Sequence, residues 1–309
     1  MMRAIALPHD KTQTLTNSRE AASKCFSTSS RARHGPDAAS ASPISTSSVS
    51  SSEVDHFSRL ASSWWDPHGP SRLLHLMNPL RFDFLQSLFT QDHTANQQRT
   101  YLDVGCGGGI FASACARHPG TSSVLAIDPT PACVAVAQAH QRRDPAIQPP
   151  KLTYLNTALE NIPEDKNGNR QTFDVITLFE VIEHISSPAA FLQNAAEHLK
   201  PGGWLVGSTI ARSPVSYITT KLVAEAPLVG VVPAGTHDWN QYINPDELRG
   251  WFEKQTESAA VGGPGAHRWG SFTTRGVIYV PALGWKVVQG SESYGNYFFA
   301  AQKLPPLST

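Results

Sequence analysis

Residues 101–110, YLDVGCGGGI, lead an apolar stretch into an acid and then into a run of glycines. Glycine has no Cβ, so it accepts positive φ and lets a ligand approach the main chain closely. The alanine-rich FASACARH that follows has helical character, so the unit reads strand, glycine turn, helix. A ligand at such a turn meets free N–H groups at the helix start. Gly105, Gly107, Gly108 and Gly109 come close to a dinucleotide fingerprint. Asp103, however, stands two residues before the first glycine, where a carboxylate repels a pyrophosphate and attracts a cation. A second acid, Asp128, ends the apolar run VLAID, the position from which a carboxylate accepts hydrogen bonds from both hydroxyls of a ribose.

A second group follows the apolar run 173–178, FDVITL. It is Glu180, Glu183 and His184, in the segment FEVIEH. If this segment forms a helical turn, the spacing i, i+3, i+4 puts all three on one face. Two carboxylates and an imidazole can hold a divalent cation with positions left for substrate oxygens. An oxygen-rich set suits magnesium or manganese better than a structural zinc. The plainer reading is that the acids orient a loop and the histidine packs. If no metal binds, His184 is the candidate general base.

LDVGCGGG followed by the strand-end Asp128 resembles the class I S-adenosylmethionine-dependent methyltransferases. The donor's ammonium and sulfonium suit the carboxylate of Asp103, and Gly105 and Gly107 would open the main chain to it. The resemblance implies an α/β, Rossmann-like fold: a doubly wound, mostly parallel sheet of seven strands with the last antiparallel. The runs that would supply strands follow in order: 151–156, 173–178, 204–208 after a KPGG turn, 276–281 and 297–302. HRWGSFTTR, before the run at 276, is polar and aromatic where an apolar strand is expected. Residues 157–162, TALENI, resemble the place that holds an adenine edge, through Ala158 or Leu159. Ligands in open α/β sheets bind outside the carboxyl ends of the strands, where both acids and the FEVIEH segment fall.

Upstream, residues 53–66, EVDHFSRLASSWWD, begin the apolar periodicity of a helix. Asn78-Pro79 predicts a break, with a second amphipathic helix from Leu80 to Phe89. FxxxASxWWD, then HxxNPLR, then LDVGCGGGI are similar to the ubiquinone-biosynthesis O-methyltransferase family, over roughly residues 53–303. That resemblance implies that Arg81 contacts the donor, forking onto its methionyl carboxylate, and that Phe179 gives it a main-chain contact. It also implies magnesium dependence with Glu180, Glu183 and His184 as ligands. The acceptor would be a polyprenylated catechol, polyprenyl-dihydroxybenzoate or 3-demethylubiquinol. The reaction is an in-line SN2 transfer of methyl to a phenolic oxygen, helped by orientation and deprotonation. A phenol's pKa near 10 would fall on coordination to a cation.

The 309 residues carry a formal net charge of +0 and 40% hydrophobic residues. This excludes a nucleic-acid footprint and supports a real core. The four cysteines have no metal-site spacing and read as reduced thiols. Residues 1–52 are basic, serine-rich and acid-poor, as a mitochondrial transit peptide followed by a disordered spacer would be. The methyltransferase domain is expected at 53–305, with an insertion at about 212–245. Within it, the weakly charged, proline-interrupted stretch 214–232 is too short to span a bilayer. It reads as a lid or as an interfacial segment. His237, Asp238 and Trp239 are leads for the substrate cleft. The family resemblance places such a protein on the matrix side of the mitochondrial inner membrane, peripheral, within a multi-subunit biosynthetic complex. The alternatives are a methyltransferase for another small hydroxylated metabolite, or a non-catalytic scaffold.

Overall fold

Among the described residues, eight strands form one sheet in the order β3-β2-β1-β4-β5-β8-β6-β7. The computed structural model describes residues 48–306 apart from 92, 93, 95 and 220–237. Most of the expected leader, His237 and most of the inserted segment therefore lie outside the described residues.

The centre of the sheet is parallel: β1 (Arg99–Val104) lies between β2 (Thr121–Asp128) and β4 (Phe173–Phe179). β3 (Leu152–Asn156) flanks β2, and β5 (Leu199–Ile210) flanks β4. From Tyr101 to Val104 and from Val175 to Phe179 every residue is buried, as expected for strands covered on both faces. Strand order reverses between β1 and β4, and the crevice opens there, at their carboxyl ends.

The far edge is antiparallel. β8 (Asn296–Lys303) pairs with β5 and with β6 (Trp269–Val280). β6 is longer than the apolar run at 276 suggested. Its polar first half pairs with β8 while Trp269 is buried. The sheet has one strand more than the seven expected, because β7 (Gly284–Val287) folds back on β6 as a hairpin.

Helix α1 (Ser51–Leu60) starts inside the stretch read as spacer, so an ordered element crosses the expected boundary at 52. A ten-residue helix is marginal alone in water, and this one is held by packing. Phe57, Leu60 and Trp65 lean on a cluster of Ala61, Trp64, Ile110 and Cys133. Helix α2 (Arg72–Gln91) corrects the predicted break, since Pro79 sits inside a single helix. Met77, Arg81, Phe84, Leu85, Leu88 and Phe89 are buried on both sides of the proline, and that packing overrides the lost hydrogen bond.

Helices α3 (Ile110–Arg117), α4 (Pro131–Gln141) and α5 (Pro188–Glu197) cover the sheet between strands. A short helix α6 (Pro214–Tyr217) precedes the undescribed segment. Helix α7 (Pro245–Ala260) starts where Asn244 and proline predict it, and the Glu247 carboxylate accepts the Asn244 N–H at 2.9 Å. Cys106, Cys115 and Cys133 are buried free thiols.

Candidate active site

A cavity of about 750 Å³ opens at the carboxyl ends of β1 and β4. All the expected site residues, Arg81, Asp103, Gly105, Gly107, Asp128, Phe179, Glu180, Glu183 and His184, line it.

The glycine turn is shaped by what presses on it. Gly105 has φ 69°, and a Cβ there would lie 2.6 Å from Val181 Cγ2. At Gly107 (φ 52°) a Cβ would fall 2.2 Å from Trp64 Cζ2. Trp64 thus lies flat over the turn, and the adjacent Trp65 donates its Nε1–H to the Gly108 carbonyl at 2.8 Å. The tryptophan pair that ended the first apolar stretch is a clamp on the glycine run.

Asp103 is buried, and its Oδ1 accepts the Thr177 hydroxyl at 2.6 Å. Its Oδ2 has no partner. Burial pushes the carboxyl up to about 7, against the Thr177 hydrogen bond and the attraction of Arg81. Arg81 is buried with its Nε unpartnered, its guanidinium 4.7 Å above the Phe179 ring. Burial lowers its pKa, opposed by the carboxylates of Glu180, Asp103 and Glu183.

Asp128 is engaged with the main chain. Oδ2 accepts the Gly107 N–H at 2.9 Å and Oδ1 the Thr130 N–H at 2.8 Å. These two bonds tie the glycine turn to the end of β2, and Asp128 lines the cavity there. Ala158 and Leu159 both reach the cavity, so the adenine-edge alternative stays between them.

The FEVIEH segment departs from the expected helical turn. Only Ile182–His184 is helical, a single 3₁₀ turn, and Glu180 has φ 58°. Glu180 Oε1 accepts the Ser208 hydroxyl at 2.6 Å, and Glu183 Oε2 accepts the Thr209 hydroxyl at 2.9 Å. His184 Nδ1 lies 3.0 Å from Glu53 Oε2. Among the described residues no three His, Cys, Asp or Glu side chains converge on one ion position. The donor chemistry still suits a hard cation. Burial raises the Glu183 pKa and the neighbouring Glu180 raises it further, a repulsion that a bound cation relieves. His184 is raised overall: burial lowers it, but the hydrogen bond to Glu53 and the nearby carboxylates outweigh that.

Asp238 and Trp239 do not line the cavity. Asp238 caps a short turn through the Asn240 N–H, and Trp239 donates to the Ser213 carbonyl at 3.0 Å. Four residues that shape the site carried no functional reading in the sequence. Thr177 was visible as a hydroxyl inside an apolar strand, and Ser208 and Thr209 as polar residues ending β5. Glu53 gave no signal, because nothing local links it to residue 184.

A family model described as a methyltransferase domain matches residues 48–255. The chain is 40% identical to the mitochondrial ubiquinone biosynthesis O-methyltransferase of Schizosaccharomyces pombe, over 83% of this chain and 87% of that one. It is 35% identical to the Candida albicans enzyme of the same name, over 83% and 86%. Among solved structures it resembles a methyltransferase from Thermotoga maritima described as a possible histamine N-methyltransferase, with TM-score 0.52 and 15% identity. That match spans 81% of this chain and 99% of the other, and it speaks for the fold.

Proposed function

The chain belongs to the ubiquinone biosynthesis O-methyltransferase family and is an S-adenosylmethionine-dependent O-methyltransferase, and on that premise we propose that its acceptor is a phenolic hydroxyl of a polyprenylated catechol. One observation carries the donor half of this reading. Two buried atoms of opposite charge, Asp103 Oδ2 and Arg81 Nε, line the same cavity without partners. An amino-acid zwitterion supplies the two missing partners, its ammonium for the carboxylate and its carboxylate for the guanidinium. The missing Cβ atoms of Gly105 and Gly107 let Val181 and Trp64 pack against the turn, and the turn, Asp128 and Phe179 line the part of the cavity that would take the nucleoside.

When bound, the donor supplies a methyl group on a sulfonium. Transfer forms the O–CH₃ bond as the S–CH₃ bond breaks, and the phenolic proton leaves the acceptor. His184 takes that proton on Nε2, the nitrogen not engaged by Glu53. The buried walls exclude water and hold acceptor and donor in line. If a divalent cation binds, Glu180, Glu183 and His184 would hold it, and it would supply acidification of the phenol.

We also place the protein in mitochondria, on the matrix face of the inner membrane, as a peripheral member of a biosynthetic complex. The mitochondrial relatives and the basic, acid-poor N-terminal residues support the compartment. The exposed Val215, Tyr217 and Ile218, at the start of the weakly charged segment, support contact with a bilayer. Among the described residues no helix is long and apolar enough to cross one. Residues 1–52 would be the leader and 53–305 the catalytic part, with α1 moving the ordered boundary a few residues upstream.

The test is a labelled methyl donor with a short-tailed catechol, with and without magnesium. Labelled monomethyl ether is expected, formed faster with the cation. Donor binding without transfer to any catechol would overturn the acceptor. A full rate in the presence of a chelator would remove the cation and leave His184 as the activator.

A further inference from the structure

His184 is held from a helix that is remote in sequence. Glu53, in the first turn of α1, places Oε2 3.0 Å from His184 Nδ1. Phe57, one helical turn on, sets its ring edge-on to the imidazole, with centroids 5.4 Å apart and planes at 79°. The 3₁₀ turn fixes the main chain beneath, where the His184 N–H donates to the Val181 carbonyl at 3.0 Å. Glu53, Phe57 and His184 all line the cavity.

A carboxylate on one imidazole nitrogen decides what the other can do. With Glu53 accepting from Nδ1–H, the neutral ring carries its proton on Nδ1 and presents a bare lone pair at Nε2. That is the form required to accept a phenolic proton. It is also the form required to ligate a cation.

We propose that Glu53 is a positioning residue. It sets the tautomer and ring orientation of His184 so that Nε2 faces the acceptor hydroxyl, and docking of α1 thereby completes the active site. This rests on the reading of His184 as the group that works on the acceptor. A bare structural tether would join the same two residues, so the test must separate the two.

The test uses the full chain, labelled with ¹⁵N-histidine and free of metal, at a pH where the imidazole is neutral. His184→Ala identifies the His184 resonances by their loss. Wild type is expected to show a protonated Nδ1 and a bare Nε2. Glu53→Ala should shift His184 toward the Nε2-protonated form. It should also lower kcat about 10–100-fold, with KM for a short-tailed catechol and donor affinity within about twofold of wild type. Glu53→Gln keeps an acceptor for Nδ1–H, so it should keep the tautomer and recover most of the lost turnover. The proposal fails if Glu53→Ala retains the wild-type tautomer and kcat, or if it lowers only the melting temperature. If His184→Ala turns over at the wild-type rate, the reading of His184 falls and the proposal falls with it. If His184→Ala is inactive while Glu53→Ala matches wild type, His184 stands and only Glu53 is overturned.

Discussion

Asp103 sits buried with one oxygen held by Thr177 and the other unpartnered, and burial raises its pKa to about 7. This position is unfavourable for the free protein and useful for a cationic ligand. A carboxyl whose pKa is higher folded than unfolded binds more protons in the folded state. Its contribution to stability is complete below about pH 4 and is lost as pH rises through about 7. Asp103→Asn mimics the protonated form. It should raise the melting temperature of the ligand-free protein by a few degrees at pH 8, and the gain should vanish near pH 4. The same substitution should weaken donor binding at least tenfold in calorimetry. Wild-type affinity should itself decline as pH falls below about 7. A variant that binds the donor normally, or melts lower at pH 8, would contradict the assignment.

Elements, more than single residues, decide where the site closes. Helix α1 brings Glu53 and Phe57, and the turn after it brings Trp64 over the glycines. Phe57 and Leu60 are half-buried against the cluster of Ala61, Trp64, Ile110 and Cys133, so each contributes about 1 kcal/mol, less than a fully buried side chain would. Removing residues 1–47 should therefore leave the melting transition and turnover close to those of the full chain. Removing residues 1–60 should lower the melting temperature by several degrees and abolish most turnover, measured by calorimetry and methyl transfer. Equal behaviour of the two truncations would show that α1 is dispensable. The same scale explains the continuity of α2, in which core packing on both sides of Pro79 outweighs a local break. It also explains the left-handed Glu180, which the end of β4 imposes and no helical pattern could show.

The molecule as a whole carries no net charge, +0 over 309 residues, so long-range attraction to an anionic surface is weak. Exposed apolar side chains are found near the cavity, with Ile278, Tyr294 and Val215 among its lining and Leu283 on the β6–β7 hairpin. If the protein works on a lipid-borne acceptor, its bilayer contact must be chiefly apolar. Co-sedimentation with anionic liposomes should then persist as salt rises to about 0.5 M, where charge attraction is screened within a few ångström. Deleting residues 220–232 should reduce it severalfold. Binding lost at moderate salt, or unchanged by the deletion, would count against apolar membrane docking.

Local grammar alone determined the glycine turn, the two strand-end acids, the apolar runs of the central strands and the start of α7. Each depends on residues adjacent in the chain: a missing Cβ, a continuous apolar run, a capping pair beside a proline. Tertiary structure decided which groups face them. Trp64 over Gly107, Ser208 and Thr209 on the two glutamates, and Glu53 on His184 all meet across strand order and helix docking. Contacts of that kind leave no periodicity and no spacing, because their geometry exists only once distant segments have packed.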